Sequence, residues 1–553
     1  MATDAKAILS HPRQPDALQL DAVTRWFSGR GLPIWTGSIA FLICASVLSG
    51  LRLFDNDYDW INQARDTGWL TVVWEILRPI PEGWGFQYRP VQVLGFKALD
   101  ALAGETPWVY YGFKSVLFAG VTAAIARFAL TIGLDRRAAG IAALTFALAG
   151  PGVASALWVS DIELLAELLI LGALGLFWRM IANTPSDRRQ EFLHRALFVL
   201  VTVVAHRTKG SAKLIPAIVL LYLVLYRRDQ LRRFLPSIAL IGLTIVPVLS
   251  IGSDPVPPFA PFAEDRSQGW MWKPANLETL ATLTIGNIHL LKGTSGPDIA
   301  FSLGAVLTPA LLWATVLSGA VLVLRRRRSL SFPGLGLITV WASLAILSYA
   351  SFPSLPEGFM ARYVVVALVP ASLLIGCVIA GASRSLPWRI GLPLLTALLT
   401  VHAIHNWDST RHLRDTLGQV IVAYDRSRDY LATRIEDANV LIVGFSYGYN
   451  RQVEDSNRYH RDRLALTEAD LERPLHVLVR TDQDIDNLEH NTTVQDIRNA
   501  IQLPKVGHRV RVRVQPVEVF SGLTESIYDK HIYASRQSFS GILYEVTFEQ
   551  ERS

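Results

Sequence analysis

Three carboxylates at alternate positions directly follow the first long apolar stretch of the chain. They are Asp55, Asp57 and Asp59. A carboxylate at the edge of a binding pocket can act as a general base that takes the proton of an attacking hydroxyl group. The same three residues could instead cap the start of a helix and solvate a loop. From the residue pattern alone, both interpretations stay open.

A second group of charged residues lies farther along, again at the ends of apolar runs. Asp161 and Glu163 follow one run, and Arg207 and Lys209 stand in a short basic segment between two others. Basic residues outside the cytoplasm cost insertion energy, so on that side they indicate an anionic partner. The alternative is that the two runs around the basic segment form one re-entrant unit.

Aromatic residues accompany these charges. Tyr88 precedes Arg89, and Trp270 and Trp272 stand in a segment that also carries an arginine and a lysine. Paired tryptophans beside cations could stack on a sugar ring and line a lipid entrance. Taken singly, each tryptophan is better explained as an interfacial belt residue.

The composition of the whole chain limits what can position these side chains. Of 553 residues, 51% are hydrophobic and 18% are charged, and the mean hydropathy is +0.29. Globular chains average about 25% charged residues. These values exclude a disordered protein and argue against a purely soluble enzyme. The net charge of +6 is too small to indicate nucleic-acid binding.

The apolar runs predict a polytopic α-helical membrane protein with about eleven transmembrane helices, since about 20 apolar residues cross a bilayer. The uncharged runs are 32–51, 138–160, 234–253, 299–324, 331–356 and 363–383. Weaker runs, each flanked or entered by a charge, are 108–132, 161–181, 192–206, 211–226 and 390–406.

Arginine and lysine beside these runs predict the orientation. Every second connection is basic, with the run 325–328 as the strongest case. Cytoplasmic loops carry such an excess, so the N-terminal segment 1–31 is expected inside and the loops 52–107 and 254–298 outside. The protein is therefore predicted to be a multi-pass protein of the plasma (inner) membrane, with a membrane domain over 32–406.

The remaining segment, 407–553, has a different composition. It begins with a charged amphipathic helix pattern and continues with strand-like runs at 439–443, 475–479, 506–514 and 542–548. We expect a small extracytoplasmic α/β domain with its own core.

The order of the motifs resembles the GT-C integral-membrane glycosyltransferases, particularly the protein O-mannosyltransferase-like branches and the bacterial lipid-linked-sugar transferases. The resemblance covers roughly 33–390. It rests on the acidic motif 55–57, the blocks 88–90, 99–110, 158–165 and 206–210, and the late motif 357–363. Asn56 stands where a carboxylate is common in that family, which leaves the choice of base open between Asp57 and Asp55.

The resemblance implies transfer of a sugar from a polyprenyl-phosphate-linked donor on the extracytoplasmic side of the bilayer. It makes Asp57 the expected base, with Asp55 as the alternative. The donor phosphate would be bound by Arg89, Lys209, Arg362, Arg207 and Tyr363. The acceptor (a glycan, lipid or protein) or a divalent ion such as Mg²⁺ or Mn²⁺ would be held with the help of Glu163, Asp161 and Asp59. Tyr88, Trp270 and Trp272 would contact sugar or lipid.

Two other classes of function remain as alternatives. A lipid or glycan transporter or flippase would need polar or broken segments at mid-membrane, and the runs 138–160 and 299–324 show few. A membrane-anchored glycan-binding scaffold would depend on the tail instead of the loop carboxylates. The pattern Gly-Phe-Ser446-Tyr-Gly matches a hydrolase nucleophile elbow, but too few strands precede it for that fold.

Overall fold

The architecture was obtained as a computed structural model. It describes residues 31–53, 56–77, 89–182, 187–250, 333–350 and 365–385. In the C-terminal part it describes scattered helical residues between 390 and 431, and then 439–443, 459–461, 464–480, 497–504, 509–521 and 540–551.

The first two apolar runs fold as long helices that pack against each other. Helix α1 (Gly31–Leu48) lies along α5 (Pro107–Thr131). Between them the chain forms three shorter helices, α2 (Asn56–Asp66), α3 (Trp69–Leu77) and α4 (Pro90–Ala103). The predicted first loop is thus largely helical.

Helix α3 is amphipathic. Leu70 is 87% exposed and Trp74 is 61% exposed, whereas Val72 between them is buried. Exposed apolar side chains on one face of a short helix are typical of helices that lie in the lipid headgroup region.

The run 138–160, predicted as one span, forms two helices instead. Helix α6 (Arg136–Ala147) and helix α7 (Gly150–Leu157) are separated by two residues. A proline stands in the first turn of α7, where a proline is favourable. Because proline has no backbone N–H, it could not donate the hydrogen bond that the interior of a continuous helix would require. The prediction of a single uninterrupted helix was wrong here.

The next runs fold as a series of long helices. They are α8 (Glu163–Ala182), α9 (Arg188–Thr208), α10 (Leu214–Tyr226), α11 (Arg228–Ser250), α12 (Pro333–Ala350) and α13 (Val365–Ser385). The segment 206–213, predicted as a loop, is mostly helical. Helix α9 continues to Thr208, and a 3-10 helix (Gly210–Lys213) leads into α10, so Lys209 is the junction between them.

Small residues allow the helices to approach closely. Helix α13 packs against α6, and a Cβ added at Gly376 would lie 2.4 Å from the carbonyl oxygen of Ala138. Helix α8 packs against α5 and α9. Small residues at helix contacts are typical of membrane-embedded bundles, where packing instead of hydrophobicity drives association.

Three of the described helices are long and apolar enough to cross a membrane, judged by length and composition. They are Gly31–Leu48, Pro107–Thr131 and Glu163–Ala182. Shorter apolar helices occupy Gly210–Tyr226, Gly334–Ala345 and Val365–Val378. The prediction of a multi-pass helical protein is confirmed in this coarser form, and the number of eleven spans stays a prediction.

All four predicted strand runs in the tail overlap strands of the structure. The five-stranded sheet has the order β2-β1-β4-β7-β6, and a separate two-stranded sheet pairs β3 with β5. The strands are β1 (Asn439–Val443), β2 (Tyr459–Arg461), β3 (Leu464–Ala465), β4 (Leu475–Arg480), β5 (Ile501–Gln502), β6 (Arg509–Ser521) and β7 (Ser540–Glu551). β1 runs parallel to β2 and β4, whereas β7 is antiparallel to β4 and β6.

Both faces of this sheet carry buried apolar residues. On one face, Leu441, Val477 and Tyr544 belong to a core confined to the tail. On the other face, Leu478 and Leu543 belong to a second hydrophobic cluster, which also includes buried residues of the helices. Alternate strand residues point to opposite faces, which explains why neighbouring residues join different cores. The boundaries at 31, 406 and 407 and the extracytoplasmic location of the tail stay predictions.

Candidate functional site

Asp57 lies in the first turn of α2, and its carboxylate is held by the connection between α7 and α8. The backbone N–H of Ser160 donates to Asp57 Oδ1 at 2.8 Å, and Asp57 is 1% exposed. The side chain of Gln92, on α4, donates to the carbonyl oxygen of the same Ser160 at 2.6 Å. Two helices of the first predicted loop therefore meet the α7–α8 connection at a single residue.

Asp161 is the next residue of this connection, and its own side chain stabilises the turn. Ser155 Oγ, on α7, donates to Oδ2 at 3.1 Å, and the backbone N–H of Glu163 donates to Oδ1 at 3.3 Å. Lys114, on α5, donates through Nζ to the Asp161 carbonyl oxygen. The turn is thus tied to three helices.

Lys209 brings a positive charge to this turn from the end of α9. Its Nζ lies 2.7 Å from Glu163 Oε1 and 3.5 Å from Asp161 Oδ1. The Lys209 side chain is 4% exposed and that of Glu163 is fully buried. Charges removed from water are stable only when they are paired, so this contact fixes α9 against the start of α8.

Two arginines lie around the same junction. Arg89 is the residue before the first turn of α4, and its Nε atom is buried. Arg207, in the last turn of α9, is 2% exposed and donates through Nε to the Ile76 carbonyl oxygen on α3 at 3.3 Å. Arg207 therefore links the end of α9 to α3.

An ion-pair network outside the apolar helices holds α2 against α4. Arg65, on α2, binds Asp100 with Nη2 at 2.7 Å and Nε at 3.1 Å, and binds Glu105 with Nη1 at 2.7 Å. The hydrogen bonds to Asp100, and secondarily those to Glu105, raise the pKa of the Arg65 guanidinium. Because α2 begins with the Asp57 turn, this network helps to set the position of that carboxylate.

The structure brings together four residues predicted from sequence: Asp57, Asp161, Glu163 and Lys209. Arg89 precedes α4, the helix whose Gln92 donates to Ser160. Arg207 reaches the neighbouring α3. Six other predicted residues lie outside the described ranges: Asp55, Tyr88, Trp270, Trp272, Arg362 and Tyr363. Asp59 belongs to α2, but its side chain is outside the described part.

Sequence reasoning missed several polar residues of this junction. Lys114 is the clearest, because a lysine inside the predicted span 108–132 is a signal that could have been used. Glu167, one turn after Glu163 on α8, is fully buried, and neither carboxylate oxygen has a hydrogen-bond partner among the described residues. Gln92 and Ser155 carry no distinctive sequence signal.

The described carboxylates do not fit a metal ion. No group of three or more His, Cys, Asp or Glu side chains within the described ranges could hold one. The ammonium group of Lys209 already supplies the positive charge between Asp161 and Glu163. A divalent ion there would have to displace Lys209.

No protein-family model matches the sequence, and no curated protein matches it. The fold of the chain is similar to that of solved structures. The crystal structure of ArnT from Cupriavidus metallidurans bound to undecaprenyl phosphate aligns with a TM-score of 0.52 at 12% sequence identity, over 94% of this chain and 98% of that chain. The chain has the ArnT fold.

The apo crystal structure of the same ArnT aligns with a TM-score of 0.48 at 14% identity, over 95% of this chain and 98% of the other. ArnT is a GT-C glycosyltransferase. The resemblance inferred from the motif order is thus confirmed as a likeness of fold to ArnT over nearly the whole length of both chains.

Proposed function

We propose that this protein transfers a sugar from a polyprenyl-phosphate-linked donor to an acceptor hydroxyl group at the extracytoplasmic face of the inner membrane. The observation that carries the proposal is the buried junction at which Asp57 meets Asp161, Glu163 and Lys209 in a chain with the ArnT fold. The related structure contains undecaprenyl phosphate, which supports a lipid donor of that class.

Asp57 acts as the general base in this proposal, with Asp55 as the alternative. The carboxylate accepts the proton of the acceptor hydroxyl group while the acceptor oxygen bonds to the anomeric carbon. The bond from that carbon to the phosphate oxygen breaks, and its electron pair leaves with the polyprenyl phosphate. The N–H of Ser160 orients the carboxylate and thereby reduces the reorganisation that the reaction requires.

Arg89 and Arg207 bind the donor phosphate, together with Arg362 and Tyr363 from the late motif. A guanidinium group can donate two parallel hydrogen bonds to the oxygens of one phosphate. Its positive charge stabilises the negative charge that builds up on the leaving group. Lys209 binds the carboxylates instead of the donor phosphate in this proposal, since its Nζ lies within 3.5 Å of both Glu163 and Asp161. Its function is then to hold the turn that presents Ser160 to Asp57.

The orientation follows from the basic connections of the sequence. It places the N-terminus in the cytoplasm and the junction, with the tail, on the periplasmic side. Asp161, Glu163 and Asp59 are proposed to help bind the acceptor, which is a glycan, a lipid or a protein. Tyr88, Trp270 and Trp272 are proposed to contact the sugar or the lipid.

The decisive experiment incubates the purified full-length protein in lipid nanodiscs with a panel of polyprenyl-phosphate sugars and measures release of polyprenyl phosphate. One donor should be consumed. In Asp57→Asn, turnover of that donor should fall about 10²-fold to 10⁴-fold, the range for loss of a general base. Asparagine can still accept the Ser160 N–H, so the fold should be preserved.

Asp229→Asn is the matched control, because Asp229 follows α10 at the opposite end from the junction and its side chain is 60% exposed. It should retain normal turnover. Consumption of no donor in the panel, or full turnover in both Asp57→Asn and Asp55→Asn, would exclude the proposed mechanism.

A further inference from the structure

A cavity that contains two arginines lies at the other end of two helices that form the junction. It has a volume of about 320 Å³. It is lined by Arg127, Leu130, Thr131, Trp178, Arg179 and Ala182. These residues belong to the last turns of α5 and α8, whereas α8 begins at Glu163. A helix of 20 residues is about 30 Å long, so the cavity and the junction are separated by roughly the thickness of a bilayer core.

The two arginines of this cavity differ from Arg195 and Arg233, which lie at the same end of the helices and pair with an acidic residue. Within the described ranges, the side chains of Arg127 and Arg179 are exposed and form no ion pair or hydrogen bond. By contrast, Arg195 and Arg233 both bind Glu191, and Arg233 does so with a distance of 2.6 Å. Among the residues that the structure describes, no acidic group therefore compensates the two positive charges of the cavity.

Between the two arginines, the cavity is lined by Leu130, Thr131, Trp178 and Ala182. Trp178 is only 7% exposed and packs on Tyr222 with ring centroids 6.1 Å apart. Leu130 is half-buried beside it, and the Thr131 hydroxyl donates to the Arg127 carbonyl oxygen at 2.8 Å. A small soluble anion would need the arginines but not this lining. A phospholipid needs both, because its phosphate seeks cations and its acyl chain seeks apolar surface.

The position along the helices agrees with a lipid ligand. Leu130 and Trp178 continue the apolar surfaces of two candidate membrane spans, and the arginines stand where those spans end. Basic pockets between transmembrane helices at the cytoplasmic surface are known to bind anionic headgroups. With the junction outside, as proposed above, this cavity faces the cytoplasmic leaflet.

We propose that Arg127 and Arg179 form a binding site for an anionic phospholipid of the cytoplasmic leaflet. The phosphate lies between the two guanidinium groups, and an acyl chain lies along Leu130 and Trp178. The site is independent of sugar transfer and needs no residue of the junction.

Native mass spectrometry and thermal unfolding of the full-length protein test this proposal with phosphatidylglycerol as the probe. Wild-type protein should retain phosphatidylglycerol in preference to phosphatidylcholine and should unfold at a higher temperature when it is added. In Arg127→Gln/Arg179→Gln, affinity for phosphatidylglycerol should be at least roughly tenfold lower, since each cation contributes separately. Arg127→Lys/Arg179→Lys should keep most of the binding, as both charges remain.

The control is Arg136→Gln/Arg137→Gln, which removes the same charge from exposed arginines at the start of α6, outside the cavity. It should bind as the wild type does. Equal binding by all variants, or equal loss in the control, would overturn the proposal. Full competition by inorganic phosphate would also overturn it, because the site would then recognise a free anion. If the double glutamine variant does not fold, the affinity of Arg179→Gln for phosphatidylglycerol can be compared with that of Arg137→Gln as the control.

Discussion

The Nζ atom of Lys209 lies 2.7 Å from Oε1 of Glu163, and both side chains are almost completely buried. Loss of Lys209 would leave two acidic groups without this cation. Breaking a buried pair on one side costs on the order of 3 kcal/mol. We therefore expect Lys209→Met to lower the unfolding temperature in detergent clearly, and Glu163→Gln to lower it less, because Asp161 still accompanies Lys209.

Glu167→Gln is the matched control for this pair. Glu167 lies one turn farther along α8 and has no hydrogen-bond partner among the described residues. Replacing a buried carboxyl group by an amide there should leave the unfolding temperature unchanged or raise it. Equal stability of Lys209→Met and wild type would show that the pair does not hold α8 and α9 together.

Arg89 should affect donor binding more than the chemical step. Hydrogen bonds to a charged group contribute about 1.5–3 kcal/mol. Arg89→Gln is therefore expected to raise the KM for the polyprenyl-phosphate donor roughly tenfold or more. Steady-state kinetics against donor concentration measures this effect. The control is Arg189→Gln, at the start of α9 on the opposite side, which should leave the KM unchanged. If both variants have the same KM, Arg89 does not bind the donor.

The pair of Arg65 and Asp100 is expected to position Asp57, the proposed general base, through α2. Arg65→Gln should lower kcat on the order of tenfold with little change in donor KM, because a displaced base loses alignment with the acceptor. The loss of stability should be small, about 1 kcal/mol or less, since Arg65 is partly exposed. The double variant Arg65→Gln/Asp100→Asn should have a kcat no lower than that of either single variant. Additive losses of kcat would show that the two residues do not act as a pair.

Gly376 is expected to tolerate no side chain. A methyl group there would meet the Ala138 carbonyl oxygen at 2.4 Å and the Ala142 side chain at 2.8 Å. Gly376→Ala should separate α13 from α6 and destabilise the protein by about 1–3 kcal/mol, measured by thermal unfolding in detergent. The control Gly112→Ala has open space around its new methyl group and should be neutral or stabilising. A neutral Gly376→Ala would show that the two helices can move apart freely.

Local sequence patterns were sufficient to predict several of the elements. Apolar runs located α1, α5 and α8, and alternation of apolar and polar residues located β6 and β7, because each pattern reflects only which faces avoid water. The charge between apolar runs likewise marked Asp161, Glu163 and Lys209 as unusual.

Other features depend on contacts between distant parts of the chain. The hydrogen bond from the Ser160 N–H to Asp57 joins residues 103 positions apart, and a backbone donor has no sequence signature. The division of the run 138–160 was also invisible to hydropathy, since both halves are apolar. The residue types therefore determined that charged groups stand at the ends of apolar helices. Only helix packing decided which of them meet, because a contact within 3 Å depends on where whole helices lie and not on the local pattern of either one.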